Sequence, residues 1–156
     1  MKIFEPAPNF SAISDTGATI TLEQLRGQWV ILYFYPKDSS LGCSIEAQRF
    51  EQSLPQFQQL NAQVIGVSTE SSASHAKFRE KCHLSFPLLP DTDKSIAKTY
   101  GVMGGLSGLF GFADRQTFLI DQDGKIAHHW KFVNPMNHAT EVLQELEKHQ
   151  MTEARA

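Results

Sequence analysis

The chain has few cysteines and no long apolar run, and each absence excludes a class of protein. Only Cys43 and Cys82 carry thiols among 156 residues, which is too few for a disulfide-stapled secreted scaffold. No stretch reaches the roughly 20 consecutive apolar residues of a membrane helix, and the first residues lack the apolar segment of a signal peptide. We therefore expect a cytoplasmic protein that makes no use of a membrane.

The chain also has no excess of basic over acidic residues. Lysine and arginine number 14 against 17 aspartates and glutamates, which gives a formal net charge of −3 and no basic surface for nucleic acid. The hydrophobic share of 41% is too high for a disordered chain. We expect one domain spanning residues 1–156, long enough to bury a sizeable core, with a small molecule as its partner.

Residues that would hold a metal or a nucleotide are not suitably spaced. His128 and His129 are adjacent, so on a strand they point to opposite faces. The other histidines show no ligand spacing. The glycine-rich stretch 101–112 lacks the Gly-Lys-Ser/Thr ending of a phosphate loop. We expect no metal and no cofactor.

Alternating apolar runs and amphipathic segments predict the fold class. The uninterrupted run from Trp29 to Tyr35 is typical of a strand buried on both faces of a sheet that helices cover. Turn residues at 15–17 predict an N-terminal β-hairpin at the sheet edge. The remaining pattern predicts strands at 64–67, 117–120 and 125–130 and helices at 44–60, 73–82, 93–100 and after 135. This alternation indicates an α/β fold with a central sheet flanked by helices.

Cys43 is the residue with the clearest chemical meaning. It lies between the predicted buried strand and a helix-compatible stretch that begins at Ser44. The unpaired N–H groups and the macrodipole of a helix N-terminus favour the thiolate, which is the nucleophilic form of cysteine. The alternative is a buried cysteine that acts as a small hydrophobic residue.

The surroundings of Cys43 resemble an active-site motif. Pro36, Ser40 and Cys43 match the Pro-x-x-x-Thr/Ser-x-x-Cys motif of the peroxiredoxins, and Glu46 matches the acidic residue that commonly follows it. Arg115 precedes a predicted strand and hairpin that are similar to the family's arginine-bearing strand.

The resemblance is to one branch of the family. Residues 66–69 and 86–91 are similar to the bacterioferritin-comigratory, or Q-type, peroxiredoxins. The similarity extends from about residue 8 to about residue 146 and implies a thioredoxin-like fold. It also implies a thiol peroxidase that reduces hydrogen peroxide and organic hydroperoxides. A thioredoxin-like or glutathione-based thiol would recycle this enzyme, which is expected to be a monomer or a weak homodimer.

The resemblance assigns a role to each residue of the motif. Cys43 attacks the peroxide, the Ser40 hydroxyl bonds the peroxide and the thiolate, Arg115 fixes the thiolate, and Pro36 shields the pocket. Glu46 is a supporting residue that orients Arg115. For Arg115 the alternative is a surface ion pair with a neighbouring aspartate, Asp114 or Asp123.

Two positions next to this motif depart from the family. Ser40 replaces the commoner threonine, which keeps the hydroxyl but loses the methyl group that fixes its rotamer. Leu41 stands where many Q-type relatives have proline, so the entry to the helix is less preset.

The resolving cysteine is a further departure. The two positions at which Q-type relatives carry it are occupied here by Gln48 and Arg79. Cys82 lies three residues after Arg79, on the same helical face, and is our candidate resolving cysteine. A bond to Cys43 would require local unfolding, because a disulfide needs the two Cα atoms within about 4.4–6.8 Å. The alternative is a buried cysteine at a helix end with no redox role.

Two questions stay open at this point. The stretch 101–112 is either a loop that packs its hydrophobic residues on the core or an apolar collar beside the active site, formed by Leu106, Leu109, Phe110 and Phe112.

A dithiol oxidoreductase would need Cys-x-x-Cys, which Glu46 excludes, and a copper-handling module would need a second soft ligand where Ala47 stands. The alternative to a thiol peroxidase is a non-enzymatic redox-sensing or holdase protein.

Overall fold

The computed structural model describes residues 2–155, and its centre is a five-stranded mixed sheet. A short hairpin precedes this sheet, with β1 at Ser11–Ile13 and β2 at Thr19–Thr21. The sheet has the order β5-β4-β3-β6-β7, with β3, β4 and β5 parallel and with β6 antiparallel to β3 and β7 antiparallel to β6. Its strands are β3 (Trp29–Phe34), β4 (Ala62–Ser68), β5 (Leu88–Pro90), β6 (Gln116–Ile120) and β7 (Ile126–Trp130).

Strand β3 lies in the middle of the sheet, and all six of its side chains are buried. Trp29, Ile31 and Tyr33 belong to one hydrophobic core, whereas the residues between them belong to a second core on the opposite face. This is the alternation that a pleated strand imposes. The prediction of a strand buried on both faces is confirmed.

The helices cover both faces of the sheet. Helices α1 (Leu41–Gln59), α2 (Ser72–Cys82) and α4 (His138–Arg155) contribute to the first core, and the short α3 (Ser95–Thr99) contributes to the second. Phe50, Leu54 and Phe57 form the buried face of α1, at the spacing expected of an amphipathic helix. The predicted α/β class, with a helix-flanked mixed sheet, is confirmed.

Two features differ from the predictions by more than a shift of one or two residues at the end of an element. Helix α1 begins at Leu41 rather than at residue 44, because the Ser40 hydroxyl accepts a hydrogen bond from the Cys43 N–H at 3.3 Å and caps the helix there. The hairpin forms its own two-stranded sheet rather than an edge of the large one. It is tied to β5 by Asp15, whose N–H donates to the Leu88 carbonyl at 3.0 Å.

The glycine-rich stretch packs Val102 and Met103 on the second core but leaves the hydrophobic residues in its middle exposed. Residues Leu106–Phe110 form a 3₁₀ turn, in which Leu106, Leu109 and Phe110 are 79%, 80% and 74% exposed. The turn is held by backbone groups and by Asp114, whose carboxylate accepts a hydrogen bond from the Gly105 N–H at 3.0 Å. The core-packing interpretation is therefore wrong for these three residues.

Within residues 2–155, no helix combines the length and the apolar character that crossing a bilayer requires.

Candidate active site

Cys43 lies in the first turn of α1, at the junction with the loop that follows β3. Its side chain is buried, with 1% of the residue exposed. Its Sγ is 3.2 Å from Nη2 of Arg115, the residue immediately before β6. Because β3 and β6 are neighbouring strands, the sheet brings together two residues that are 72 positions apart in the chain. The thiol therefore faces both a helix N-terminus and a guanidinium, and each favours its anionic form.

The same guanidinium also binds Glu46, one turn further along α1. Arg115 Nη1 donates to Glu46 Oε1 at 2.7 Å, so Arg115 does not take the surface ion pair with Asp114 or Asp123. Gly42 makes room for this arrangement, because a Cβ at that position would lie 3.3 Å from Arg115 Nη2. The structure thus places Cys43, Glu46 and Arg115 in one hydrogen-bonded group.

Burial sets the electrostatics of this group. The Glu46 side chain is completely buried, and burial raises its pKa to about 7, although the Arg115 charge opposes that shift. Burial alone would lower the pKa of Arg115, but Glu46 and Cys43 together raise it above its ordinary value. The guanidinium is therefore a permanent cation that lies between the Glu46 carboxyl group and the Cys43 thiol.

Among residues 2–155, no three His, Cys, Asp or Glu side chains are grouped as metal ligands.

The Ser40 hydroxyl is already engaged in the resting structure. It donates to the Lys37 carbonyl at 3.2 Å and accepts from the Cys43 N–H. To donate to a bound peroxide, it must turn away from the Lys37 carbonyl. Pro36 is half-buried at the start of the same loop, between the end of β3 and the cap of α1.

Tyr33 is a buried polar neighbour that sequence reasoning did not single out. Its ring stacks on Phe50 at a centroid distance of 4.7 Å, and its hydroxyl has no hydrogen-bond partner, like the Oε2 atom of Glu46. Burial raises the pKa of Tyr33 strongly, and the negative groups at Glu46 and Cys43 add to the rise. The inner side of the site is therefore an apolar environment with two unpaired polar atoms, in which charge interactions are strong.

Cys82 belongs to the same hydrophobic core as Cys43, at the C-terminal end of α2. It is 5% exposed, and burial raises the pKa of its thiol, whereas the Ser44 hydroxyl works in the opposite direction. Ser44 Oγ is buried and has no hydrogen-bond partner, and Ser44 directly follows Cys43. The structure thus places the Cys82 thiol beside the first turns of α1, with both cysteines unpaired.

Arg79 occupies the position at which some Q-type relatives carry a resolving cysteine. Its guanidinium binds both carboxylate oxygens of Asp15, at 2.6 and 3.0 Å. It also donates to the carbonyls of Leu84 at 2.6 Å and Phe86 at 2.7 Å. These four bonds join the end of α2 to the hairpin and fix the segment that follows Cys82.

A second buried network was missed at the sequence level. Asp38, in the loop between Pro36 and Ser40, accepts hydrogen bonds from Tyr35, Ser74 and His75, each at 2.7 Å. The only signal in the sequence was an acidic residue inside the motif loop. Its partners on α2 lie 36 and 37 residues away, and no local pattern identifies them.

Known proteins share this fold. A model described as the AhpC/TSA family matches residues 3–129. Peroxiredoxin Bcp of Bacillus subtilis (strain 168) is 39% identical over 150 residues, which cover 94% of this chain and 95% of that protein. The solved structure of a PrxQ mutant from Xylella fastidiosa matches with a TM-score of 0.89 at 36% identity, over 96% of this chain and 98% of the other. The bacterioferritin comigratory protein of Xanthomonas campestris matches with a TM-score of 0.83 at 32% identity, over 90% and 91%.

The chain belongs to the AhpC/TSA family, within the Bcp, or Q-type, peroxiredoxins. The resemblance noted in the sequence is confirmed, and with it the thioredoxin-like fold. The protein is accordingly a thiol-dependent peroxidase.

Proposed function

We propose that this peroxidase uses Cys43 as its peroxidatic nucleophile, held in the thiolate form by Arg115. The observation that carries the proposal is the 3.2 Å contact between Arg115 Nη2 and Cys43 Sγ in the first turn of α1. A permanent cation and a helix N-terminus act on the same sulfur, and both stabilise a thiolate. Glu46 orients the guanidinium through its 2.7 Å bond.

The proposed reaction assigns one step to each of these groups. The Cys43 thiolate attacks one oxygen of the hydroperoxide, the O–O bond breaks, and its electron pair leaves with the other oxygen, which takes up a proton to give water or an alcohol. The sulfur is oxidised by two electrons to a sulfenic acid. Arg115 and the Ser40 hydroxyl hold the peroxide and stabilise the charge that develops on the departing oxygen. Pro36 shields this pocket from solvent.

The substrates proposed here are hydrogen peroxide and organic hydroperoxides. The exposed apolar residues Leu106, Leu109 and Phe110 lie on a turn that Asp114 holds, and Asp114 immediately precedes Arg115. An apolar collar there favours substrates with a hydrocarbon group. The Xanthomonas campestris relative is described by its alkyl peroxide reduction activity.

The collar is tested with a single substitution and two substrates. Phe110→Ser lowers the rate with cumene hydroperoxide while leaving the rate with hydrogen peroxide unchanged. The control is Phe132→Ser, which removes a 93% exposed aromatic residue outside the turn. Equal ratios of the two rates in all three proteins, with unchanged association state, would remove the collar from the proposal.

The second half of the cycle uses thiols. Cys43 sulfenic acid condenses with Cys82 of the same chain, with loss of water, and a thioredoxin-like or glutathione-based donor reduces the disulfide. Support for this pairing comes from the position of Cys82 in the same core as Cys43 and beside Ser44. The state of association, monomer or weak homodimer, and the cytoplasmic location stay predictions.

The assignment of Cys43 is tested by stopped-flow mixing of the reduced protein with one equivalent of peroxide. Cys43→Ser abolishes peroxide consumption and keeps the fold, because a serine hydroxyl supplies no soft anion at neutral pH. Cys82→Ser is the matched control, since it removes the other buried thiol and keeps the first step. Peroxide consumption at the wild-type rate by Cys43→Ser would overturn the assignment, whereas a reduced wild-type protein that consumes no peroxide would favour a redox-sensing or holdase function for this fold.

A further inference from the structure

Asp38 is the centre of a buried network that ties the active-site loop to two other elements. Its Oδ1 accepts from Tyr35, and its Oδ2 accepts from both Ser74 and His75. The side chains of His75 and Asp38 are 0% and 3% exposed. Ser74 and His75 stand in the first turn of α2, so the network joins the loop before α1 to the start of α2.

His75 bridges the active-site loop and strand β5. Its Nδ1 lies 2.7 Å from the Asp38 carboxylate, and its Nε2 lies 3.1 Å from the Leu89 carbonyl. Burial opposes the ionised form of Asp38, but its hydrogen bonds to His75, Ser74 and Tyr35 hold its pKa below the ordinary value. Removal of one partner from such a buried network leaves polar groups unpaired, which is destabilising.

The loop under this network carries the peroxide-binding groups. Asp38 lies two residues before Ser40, and the Ser40 hydroxyl bonds the carbonyl of Lys37 and the N–H of Cys43. Between them, Ser39 adopts a left-handed backbone with φ of 62°, a conformation that non-glycine residues keep only where the surroundings impose it. The position of the cap of α1 thus depends on the anchor at Asp38.

We propose that Asp38 and His75 form a latch that holds the active site closed for peroxide attack and whose release exposes oxidised Cys43 to thiols. Both are positioning residues, which act through Ser40 and the first turn of α1. The latch rests on the peroxidase role proposed for Cys43. It makes two opposite predictions, because a weaker latch slows the step that needs the closed site and speeds the steps that need it open.

The experiment compares variants in a Cys82→Ser background, so that it does not depend on the resolving role of Cys82. Asp38→Asn removes the charge, His75→Asn keeps a donor toward Asp38, and Ser74→Ala removes one of the three hydrogen bonds from a half-buried side chain. Three quantities are measured for each: the rate of peroxide consumption, the rate at which dimedone traps the sulfenic acid, and the sulfinic acid formed with excess peroxide.

We expect Asp38→Asn to slow peroxide consumption by about ten-fold or more, since small displacements of reacting groups have effects of this size. Dimedone trapping accelerates, and less sulfinic acid forms, because the sulfenic acid spends less time in the closed site that peroxide attacks. Ser74→Ala and His75→Asn give smaller changes in the same directions, and they carry the test if Asp38→Asn does not fold.

Asp91→Asn is the matched control. Asp91 is also a buried carboxylate, 3% exposed, but it accepts from the backbone N–H groups of Ile96 and Ala97 at 3.1 and 2.8 Å. This variant loses stability without the opposed changes in rate. Slower attack together with slower trapping in the latch variants would overturn the latch, and so would slower attack with faster trapping in Asp91→Asn. Failure of the parent protein to consume peroxide through Cys43 would instead overturn the proposed function.

Discussion

Arg115 holds Cys43 with one nitrogen and Glu46 with the other, at 3.2 Å from the thiol sulfur and 2.7 Å from the carboxylate. A single cation is therefore shared by two groups on consecutive turns of α1. In the proposed mechanism, its charge stabilises the thiolate before reaction and the departing oxygen during it. The carboxylate fixes the planar guanidinium in the orientation that makes both interactions available.

The first prediction concerns this charge. Arg115→Met should slow peroxide attack by at least an order of magnitude, which corresponds to roughly 1.4 kcal/mol of barrier, because the sulfur of Cys43 loses the guanidinium that lies 3.2 Å from it. The measurement is the stopped-flow rate of peroxide consumption by the reduced protein. Arg49→Met, which removes an exposed arginine from the same helix, is the control and should react at the wild-type rate. A wild-type rate in Arg115→Met would reduce Arg115 to a structural ion pair.

The second prediction concerns the buried carboxylate of Glu46. The folded protein keeps its proton up to about pH 7, whereas the unfolded chain releases it near the ordinary pKa of 4.5. In this range the folded state binds more protons than the unfolded state, so wild-type stability falls as pH rises. Glu46→Gln lacks this ionisation. Its stability relative to the parent should therefore improve by about 2 kcal/mol between pH 5 and pH 8.

The measurement for Glu46 is the free energy of unfolding in urea at both pH values. It is best made in a Cys43→Ser background, so that titration of the thiol does not contribute to the difference. An equal difference between Glu46→Gln and its parent at pH 5 and pH 8 would mean that Glu46 ionises normally in the folded protein.

Structural features that depend on residues close together in the sequence could be predicted. The run from Trp29 to Tyr35 predicted the central strand, and the position of Cys43 predicted a thiol at a helix start. The link from Cys43 to Arg115 spans 72 residues and was available only through the family resemblance, because no local periodicity relates a helix cap to a strand that far away.

Other features depend on tertiary contacts that a sequence pattern does not encode. Asp38 lies in the loop before α1, and its histidine partner lies on α2, 37 residues further along the chain. The hairpin was placed at the sheet edge, but its contact with β5 runs through the turn residue Asp15 rather than through a ladder. The sequence leaves open whether Leu109 and Phe110 pack inward or form a collar, because hydrophobicity alone carries no information on whether a short turn can reach the core.

The third prediction separates the two roles of the Ser40 hydroxyl, as a helix cap and as a peroxide donor. Ser40→Ala should lose about 1 kcal/mol of stability, the usual cost of a lost cap, and should also slow peroxide attack about ten-fold or more, as expected for a lost transition-state donor. Ser40→Thr keeps the hydroxyl and should retain both. The control is Thr21→Ala, whose hydroxyl accepts from the Gln24 N–H at 3.1 Å, far along the chain from Cys43.

The measurements for this comparison are urea unfolding and the rate of peroxide consumption. The two alanine variants should lose similar stability, and only Ser40→Ala should lose rate. If both rates are unchanged, the hydroxyl serves the helix alone and another donor holds the peroxide.

The last prediction concerns Cys82 as the resolving cysteine. Burial raises the pKa of its thiol in the resting fold, so it attacks the sulfenic acid of Cys43 efficiently only after local opening restores its access to water. The end of α2 is held by Arg79, with four bonds to Asp15, Leu84 and Phe86. Arg79→Met should therefore accelerate disulfide formation and leave the rate of peroxide attack unchanged, with the Arg49→Met protein as control.

Peptide mapping after one equivalent of peroxide should recover a peptide pair joined by a Cys43–Cys82 disulfide. If that pair is absent and Cys82→Ser turns over normally with thioredoxin, the protein works with Cys43 alone and an external thiol resolves it.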